Sequence, residues 1–212
     1  MDGPPDRPRR EEYPDQTRAA VIAAARRLFA GNGFFQTKVE EIAKLSRVSP
    51  ATVYAQCGGK QGLLRSLMDS WTQAQMIVEF HEKSLATADG ALVMQILSTA
   101  YLRITEQWGD VIRVVIDVAP HDDESGAVLT TAQRRHNRNL VEICRHLGGI
   151  GALRDDVDAR LASQIITYYY GIDGLLRTRE VFGWSLKRSN EWLLAHASAA
   201  VLRSPAQSLS PN

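Results

Sequence analysis

Between residues 37 and 64, TKVEEIAKLSRVSPATVYAQCGGKQGLL, the chain opens a helix three times in quick succession, and this spacing constrains the fold more than any other feature. Thr37 is expected to be an N-cap for a short helix that turns Val39, Ile42 and Ala43 inward. Ser49 is a second N-cap, followed by Pro50 at the helical position where a missing N–H costs nothing. A third start lies at Lys60, with Leu63, Leu64, Leu67, Met68 and Trp71 as its apolar face. Two short helices joined by a tight turn, the second capped by Ser-Pro, have the proportions of a helix-turn-helix. Upstream, Thr17 opens a helix whose Val21, Ala24, Ala25, Leu28 and Phe29 form one apolar stripe. Gly31 and Gly33 end it, with Gly33 as a left-handed cap.

Projecting SPATVYAQ at about 100° per residue shows why it lacks leucines. With Val53 turned to the core and Cys57 near it, Ala51 and Ala55 face outward, Thr52 and Tyr54 flank them, and Gln56 lies on the edge. Small outward residues let a helix axis approach the floor of a major groove. There an alanine methyl touches a thymine methyl and glutamine pairs with adenine. Thr52 and Tyr54 offer hydroxyls to phosphates, and Lys38 and Lys60 place charge at helix starts that already favour an anion. With Ser49 and Pro50, these residues make the predicted DNA-binding set. An ordinary amphipathic helix with a wet polar face is the competing reading.

The charge distribution separates the two. Residues 16–65 hold eight basic side chains against two acidic ones, whereas residues 66–212 hold fourteen against seventeen. A basic module for a polyanion is thus joined to a mildly acidic body. Cys57 and Cys144 form no CxxC pair and no disulfide framework, which fits a reducing compartment and makes the cytoplasm the expected location. The N-terminus lacks the apolar stretch of a signal peptide, and no run of about 18 apolar residues would span a bilayer. No membrane association is expected.

These motifs carry a resemblance. AAARRLFAGNGF at 23–34, TKVEEIAKLSRVSPATVY at 37–54 and GGKQGLL at 58–64 resemble the DNA-binding domain of the TetR (tetracycline-repressor) family of one-component bacterial regulators. The resemblance covers about a quarter of the chain. It implies an all-α fold: a three-helix helix-turn-helix domain followed by a helical ligand-binding and dimerisation domain. It also implies a homodimer on double-stranded operator DNA, acting as a repressor relieved by a small-molecule effector that the sequence does not identify. The expected division is a disordered leader at 1–15, the helix-turn-helix domain at 16–62, the regulatory domain at 63–203 and a flexible tail at 204–212. Two departures from the family pattern stand out. Arg47 occupies the turn position usually held by glycine, so it must accept a positive φ or the turn is reshaped. Cys57 replaces an aromatic residue, as a buried structural cysteine or as a redox-sensing thiol.

Beyond residue 72 the pattern stays helical, with expected spans at 90–107, 110–119, 125–147, 157–181 and 187–203. Leu161, Ile165, Tyr168, Ile172 and Leu175 form one seam for helix packing, and Trp192, Ala195, Ala199 and Leu202 form another. Two such seams from each of two chains would make a four-helix interface. Polar and aromatic residues within apolar stretches are the candidates for an effector pocket: Met76, Phe80, Met94 and Tyr101, then Trp108, Asp117, His121 and Tyr169. Asp117 and His121 are four residues apart, yet Pro120 interrupts them and the HDDE run reads as a solvated loop rather than a metal site. No GxSxG, HExxH, phosphate-cradling loop or spaced Cys-His pair is present, so neither an enzyme nor a bound cofactor is expected. The competing function is a helical ligand carrier or scaffold whose helix-turn-helix serves protein interaction.

Overall fold

The computed structural model describes residues 9–204, so the first eight residues of the expected leader and residues 205–212 of the expected tail lie outside the described residues. Among the described residues the chain is helical throughout and has no strand. In order, the helices are α1 (Arg9–Asn32), α2 (Val39–Ser46), α3 (Pro50–Cys57), α4 (Gly59–Thr72), α5 (Gln75–Leu85), α6 (Gly90–Val118), α7 (Asp123–Gly149), α8 (Ala159–Tyr170), α9 (Gly174–Phe182) and α10 (Leu186–Val201). A 3₁₀ turn at Ala119–His121 joins α6 to α7. α1 begins at Arg9, so helix includes residues 9–15 of the expected leader.

The chain divides into two compact units, residues 1–72 with 113–128, and residues 73–112 with 129–212. In the first, the α1 stripe buries Val21, Ala24, Ala25 and Phe29 against Ile42 and Ala43 of α2, Val53 of α3 and Leu63, Leu64, Leu67 and Met68 of α4. Gly33 closes α1 in the left-handed region at φ 80°, its N–H donating to the Phe29 carbonyl at 2.9 Å. Thr37 is not the α2 cap. Its hydroxyl turns inward, donating to the Gly33 carbonyl at 2.8 Å and the Leu28 carbonyl at 3.3 Å, which ties the α1 end to the following loop. Lys38 takes the cap position, and its N–H donates to Glu41 Oε2 at 2.9 Å. Thr37 is almost fully buried, so a loop with an orphan carbonyl claimed its hydroxyl before the helix did.

The second unit has its core where α6, α7, α8 and α10 each contribute residues spaced three or four apart. Val93, Met94 and Leu97 meet Leu140, Ile143, Cys144 and Leu147, with Ile166, Tyr170, Leu193, Ala197 and Val201 completing the cluster. Two expected spans are corrected. Residues 90–107 and 110–119 are one helix, because an interior glycine costs only about 1 kcal/mol and Gly109 leaves room for Leu176, which would stand 3.3 Å from a Cβ there. The span 157–181 is broken after Tyr170 by Gly171, at φ 41° and ψ −157°, a backbone conformation that ends the helix.

Candidate nucleic-acid interface

The short helix α3 is oriented by its inner face. Val53 is 0% exposed and Cys57 is buried beside it, leaving Pro50, Ala51, Tyr54 and Ala55 exposed and Thr52 and Gln56 half-buried. At its start the Ser49 hydroxyl accepts the Thr52 N–H at 3.1 Å and lies 2.9 Å from the Thr52 hydroxyl. Ser49 and Thr52 therefore cap the helix as well as border its outer face. Tyr54, 59% exposed, is aimed by its neighbour: its ring covers Gly59, where a Cβ would stand 2.7 Å from ring atom Cε1. The turn into α4 needs both glycines in the left-handed region, Gly58 at φ 69° and Gly59 at φ 71°.

The two predicted lysines differ. Lys38 is exposed at the start of α2. Lys60 is half-buried; its ammonium donates to the Phe35 carbonyl at 3.3 Å and lies 4.6 Å from the centre of the Phe34 ring. Burial holds its pKa below the ordinary lysine value. Lys60 thus ties α4 to the α1–α2 loop, which is a structural task in addition to the one expected from its position at a helix start. Cys57 is a poor redox sensor, since burial pushes its thiol pKa up and outweighs the opposing charge of Arg18.

One residue of the interface escaped the sequence reading. Arg18 of α1 donates to the Gln56 carbonyl at 2.7 Å and to the Ser66 hydroxyl at 3.2 Å, so one guanidinium spans α1, α3 and α4. The Gln56 carbonyl belongs to the last turn of α3, at the negative end of its dipole, where a cation is favoured. No local signal marks Arg18, because its partners lie 38 and 48 residues away. Arg18→Ala is expected to lower stability by about 1 kcal/mol and to weaken DNA binding several-fold by freeing the α3 end. A urea melt and a fluorescence titration check both, and an unchanged melt sinks the clamp.

The sequence of residues 21–67 matches the family described as bacterial regulatory proteins, tetR family. The chain belongs to the tetR family. Its N-terminal unit is a helix-turn-helix DNA-binding domain, and the protein is a DNA-binding transcriptional regulator. Among solved structures, the fold of this tetR-family chain is similar to a TetR family transcriptional regulator, PfmR, from Thermus thermophilus, at 21% identity over 85% of this chain and 96% of that one, with a TM-score of 0.67. It is similar to SmeT, the repressor of the Stenotrophomonas maltophilia multidrug efflux pump SmeDEF, at 16% identity over 89% and 91% of the two chains and a TM-score of 0.68. A regulator from Saccharomonospora viridis in complex with choline matches at 18% identity over 90% and 100% of the chains, with a TM-score of 0.73. No curated protein matches the sequence.

In the C-terminal unit of this tetR-family regulator, the predicted seams are partly exposed. Leu161, Tyr168, Trp192, Ala195 and Ala199 are exposed, Tyr168 to 78%. Leu175 instead packs in the chain's own core, Ile165 and Leu202 pack against that core, and Ile172 falls in the turn after α8. The break at Gly171 is the reason that the five-residue seam does not run as one stripe.

The predicted pocket residues do not gather as a set. Met94 is buried, Tyr101, Trp108 and Tyr169 are half-buried, and Met76 and Phe80 are half-buried on α5. Asp117 and His121 are exposed and fall in the N-terminal unit, where the His121 ring meets the Phe35 ring edge-on at 5.9 Å. Among the described residues no group of three or more His, Cys, Asp or Glu side chains is arranged to hold a metal ion. The HDDE run is also not simply solvated. Asp122 accepts the Ser125 N–H at 2.8 Å and the Gln61 amide at 2.9 Å, and Glu124 pairs with Arg65. The bonds from Ser125, with smaller help from Gln61 and Arg65, hold the Asp122 pKa below the usual carboxylate value.

The C-terminal core does bring a polar cluster together. The Tyr101 hydroxyl lies 3.0 Å from His136 Nε2, and its ring stacks on Tyr170 at 4.6 Å. Burial raises both tyrosine pKa values, that of Tyr170 to about 12, and lowers that of His136. All three are therefore neutral near pH 7. The Tyr170 hydroxyl is buried without a hydrogen bond of normal geometry, although Ser98 is near enough to oppose its pKa rise.

Proposed function

We propose that this regulator is a cytoplasmic repressor that binds operator DNA as a homodimer and is released by a small-molecule effector in its C-terminal unit. The observation that carries the reading is the outward face of α3. Ala51, Tyr54 and Ala55 stand exposed between two ordered turns, on a helix whose inner residues are buried. Such a face fits a major groove, with the lysines and hydroxyls around it meeting phosphates.

Homodimerisation is supported by the exposed aromatic and small residues of α8 and α10. The Tyr169 ring lies 6.4 Å from Trp192, which stacks on His196 at 4.0 Å and meets Trp184 at 5.9 Å. Aromatic residues with an apolar body and a polar tip are enriched at interfaces between protein chains. A pair of recognition helices would then read two half-sites about 34 Å apart or somewhat more.

The effector reading is supported by the polar cluster around Tyr101 and Tyr170. No buried side chain among the described residues is charged. A carboxylate would thus be desolvated there with no buried cation to receive it. A flat uncharged molecule, or a quaternary ammonium ion of the kind held by the Saccharomonospora viridis regulator, suits stacked aromatic rings better. An effector changes operator affinity by its preference for one separation of the two recognition helices, typically about 1–3 kcal/mol.

The test is selection of an operator from random duplexes, followed by titration at two salt concentrations. Affinity is expected to fall by about 10³-fold or more between 50 and 200 mM salt, as for a protein making several phosphate contacts. Sedimentation at the same concentrations is expected to show a dimer. Salt-independent binding would point to a protein-interaction module instead, and a solitary chain would remove the two-helix geometry.

A further inference from the structure

Arg47 is the sole non-glycine residue with positive φ among the described residues, at φ 59° and ψ 40°. It closes α2, with the Val48 N–H donating to the Ala43 carbonyl at 3.0 Å, and sits two residues before the Ser49 cap of α3. An L-residue with a long side chain pays for this conformation through its Cβ, whereas glycine adopts it freely. Nothing in the turn compensates through the side chain. Arg47 is exposed, and no hydrogen bond or ion pair to its guanidinium occurs among the described residues. No carboxylate occurs between Glu41 and Asp69 in the sequence, and Glu41 is already bonded to the Lys38 N–H at 2.9 Å. An unpaired cation is thus held at a strained corner beside the DNA-reading helix, flanked by the exposed Lys44.

We propose that Arg47 is a backbone-phosphate contact of the DNA interface, so that its strain in the free protein is offset only in the complex. Strained residues persist where function uses them, and a guanidinium in the turn preceding a groove-reading helix is placed for a phosphate oxygen rather than for a base edge. The contact adds affinity without adding sequence preference.

The experiment compares wild type, Arg47→Gly and Arg47→Lys in stability and in DNA titrations at several salt concentrations, on the selected operator and on an unrelated duplex. Arg47→Gly is expected to unfold at a higher urea concentration than wild type. It is expected to bind both duplexes about five- to tenfold more weakly at low salt, with the slope of log affinity against log salt smaller by about 0.9. Arg47→Lys is expected to keep the wild-type slope. Opposite signs of the stability and affinity changes exclude a folding defect as the cause. Arg47→Gly with wild-type affinity and slope, or with lowered stability, overturns the proposal alone. Wild-type protein with no salt-dependent DNA binding overturns the DNA-binding role together with it.

Discussion

Replacing Gly62 by alanine is expected to destabilise the protein by about 3 kcal/mol or more, enough to leave little folded N-terminal domain. α3 ends at Cys57 and α4 starts at Gly59, and the reversal between them presses the Cys57 carbonyl against the Cα of Gly62. A Cβ at Gly62 would lie inside contact distance of that carbonyl oxygen. Both atoms are fixed to backbone, so no rotamer change relieves the clash. α3 and α4 must part, which opens the packing of Val53, Leu63 and Leu64, all 0% exposed. Gly31→Ala is the control, since nothing stands within 4 Å of a Cβ there, and it is expected to be neutral or slightly stabilising. Urea unfolding of the two variants measures the contrast, and equal midpoints would contradict the turn geometry.

Ala55→Glu is expected to reduce operator affinity by at least about 100-fold, a cost of several kcal/mol for like charges brought together, while unfolding as wild type does. Ala55 is exposed on the outer face of α3, so the new carboxylate meets water in the free protein and phosphates or base edges in the complex. Glutamate has good helix propensity, and the fold has no reason to resist it. Ala55→Ser, small and uncharged, is expected to keep most of the affinity. A titration in which the glutamate variant binds as tightly as wild type would remove α3 from the groove.

The N-terminal domain was legible in the sequence because its signals are local. Ser49-Pro50 marks a helix start through atoms three residues apart, and Gly33 and Gly58 mark helix ends through a φ that other residues avoid. The inward turn of Val53 and the outward turn of Ala51 and Ala55 follow from helical periodicity alone. Thr37 misleads for an equally physical reason. A threonine before a helix looks like a cap, but the carbonyls that took its hydroxyl belong to Leu28 and Gly33, held in place by the packing of α1.

Less was legible further along. An apolar residue in a long helix reads the same whether it faces its own core or the outside, so Leu175 and Tyr168 shared one predicted seam although one is buried and the other is the more exposed of the two. Gly109 and Gly171 are the same letter, yet the first sits inside α6 under Leu176 and the second ends α8.

Helix content, helix polarity, the turn chemistry of the DNA-reading motif and its basic charge thus depend on residues within a turn or two of one another, and the amino-acid order specifies them. The clamp of Arg18 on α3, the seating of Lys60 on Phe34, the bond between Gln61 and Asp122 and the stack of Tyr101 on Tyr170 join residues dozens of positions apart. Such contacts arise when helices pack, since packing brings distant side chains within bonding range and excludes the water that would otherwise satisfy them.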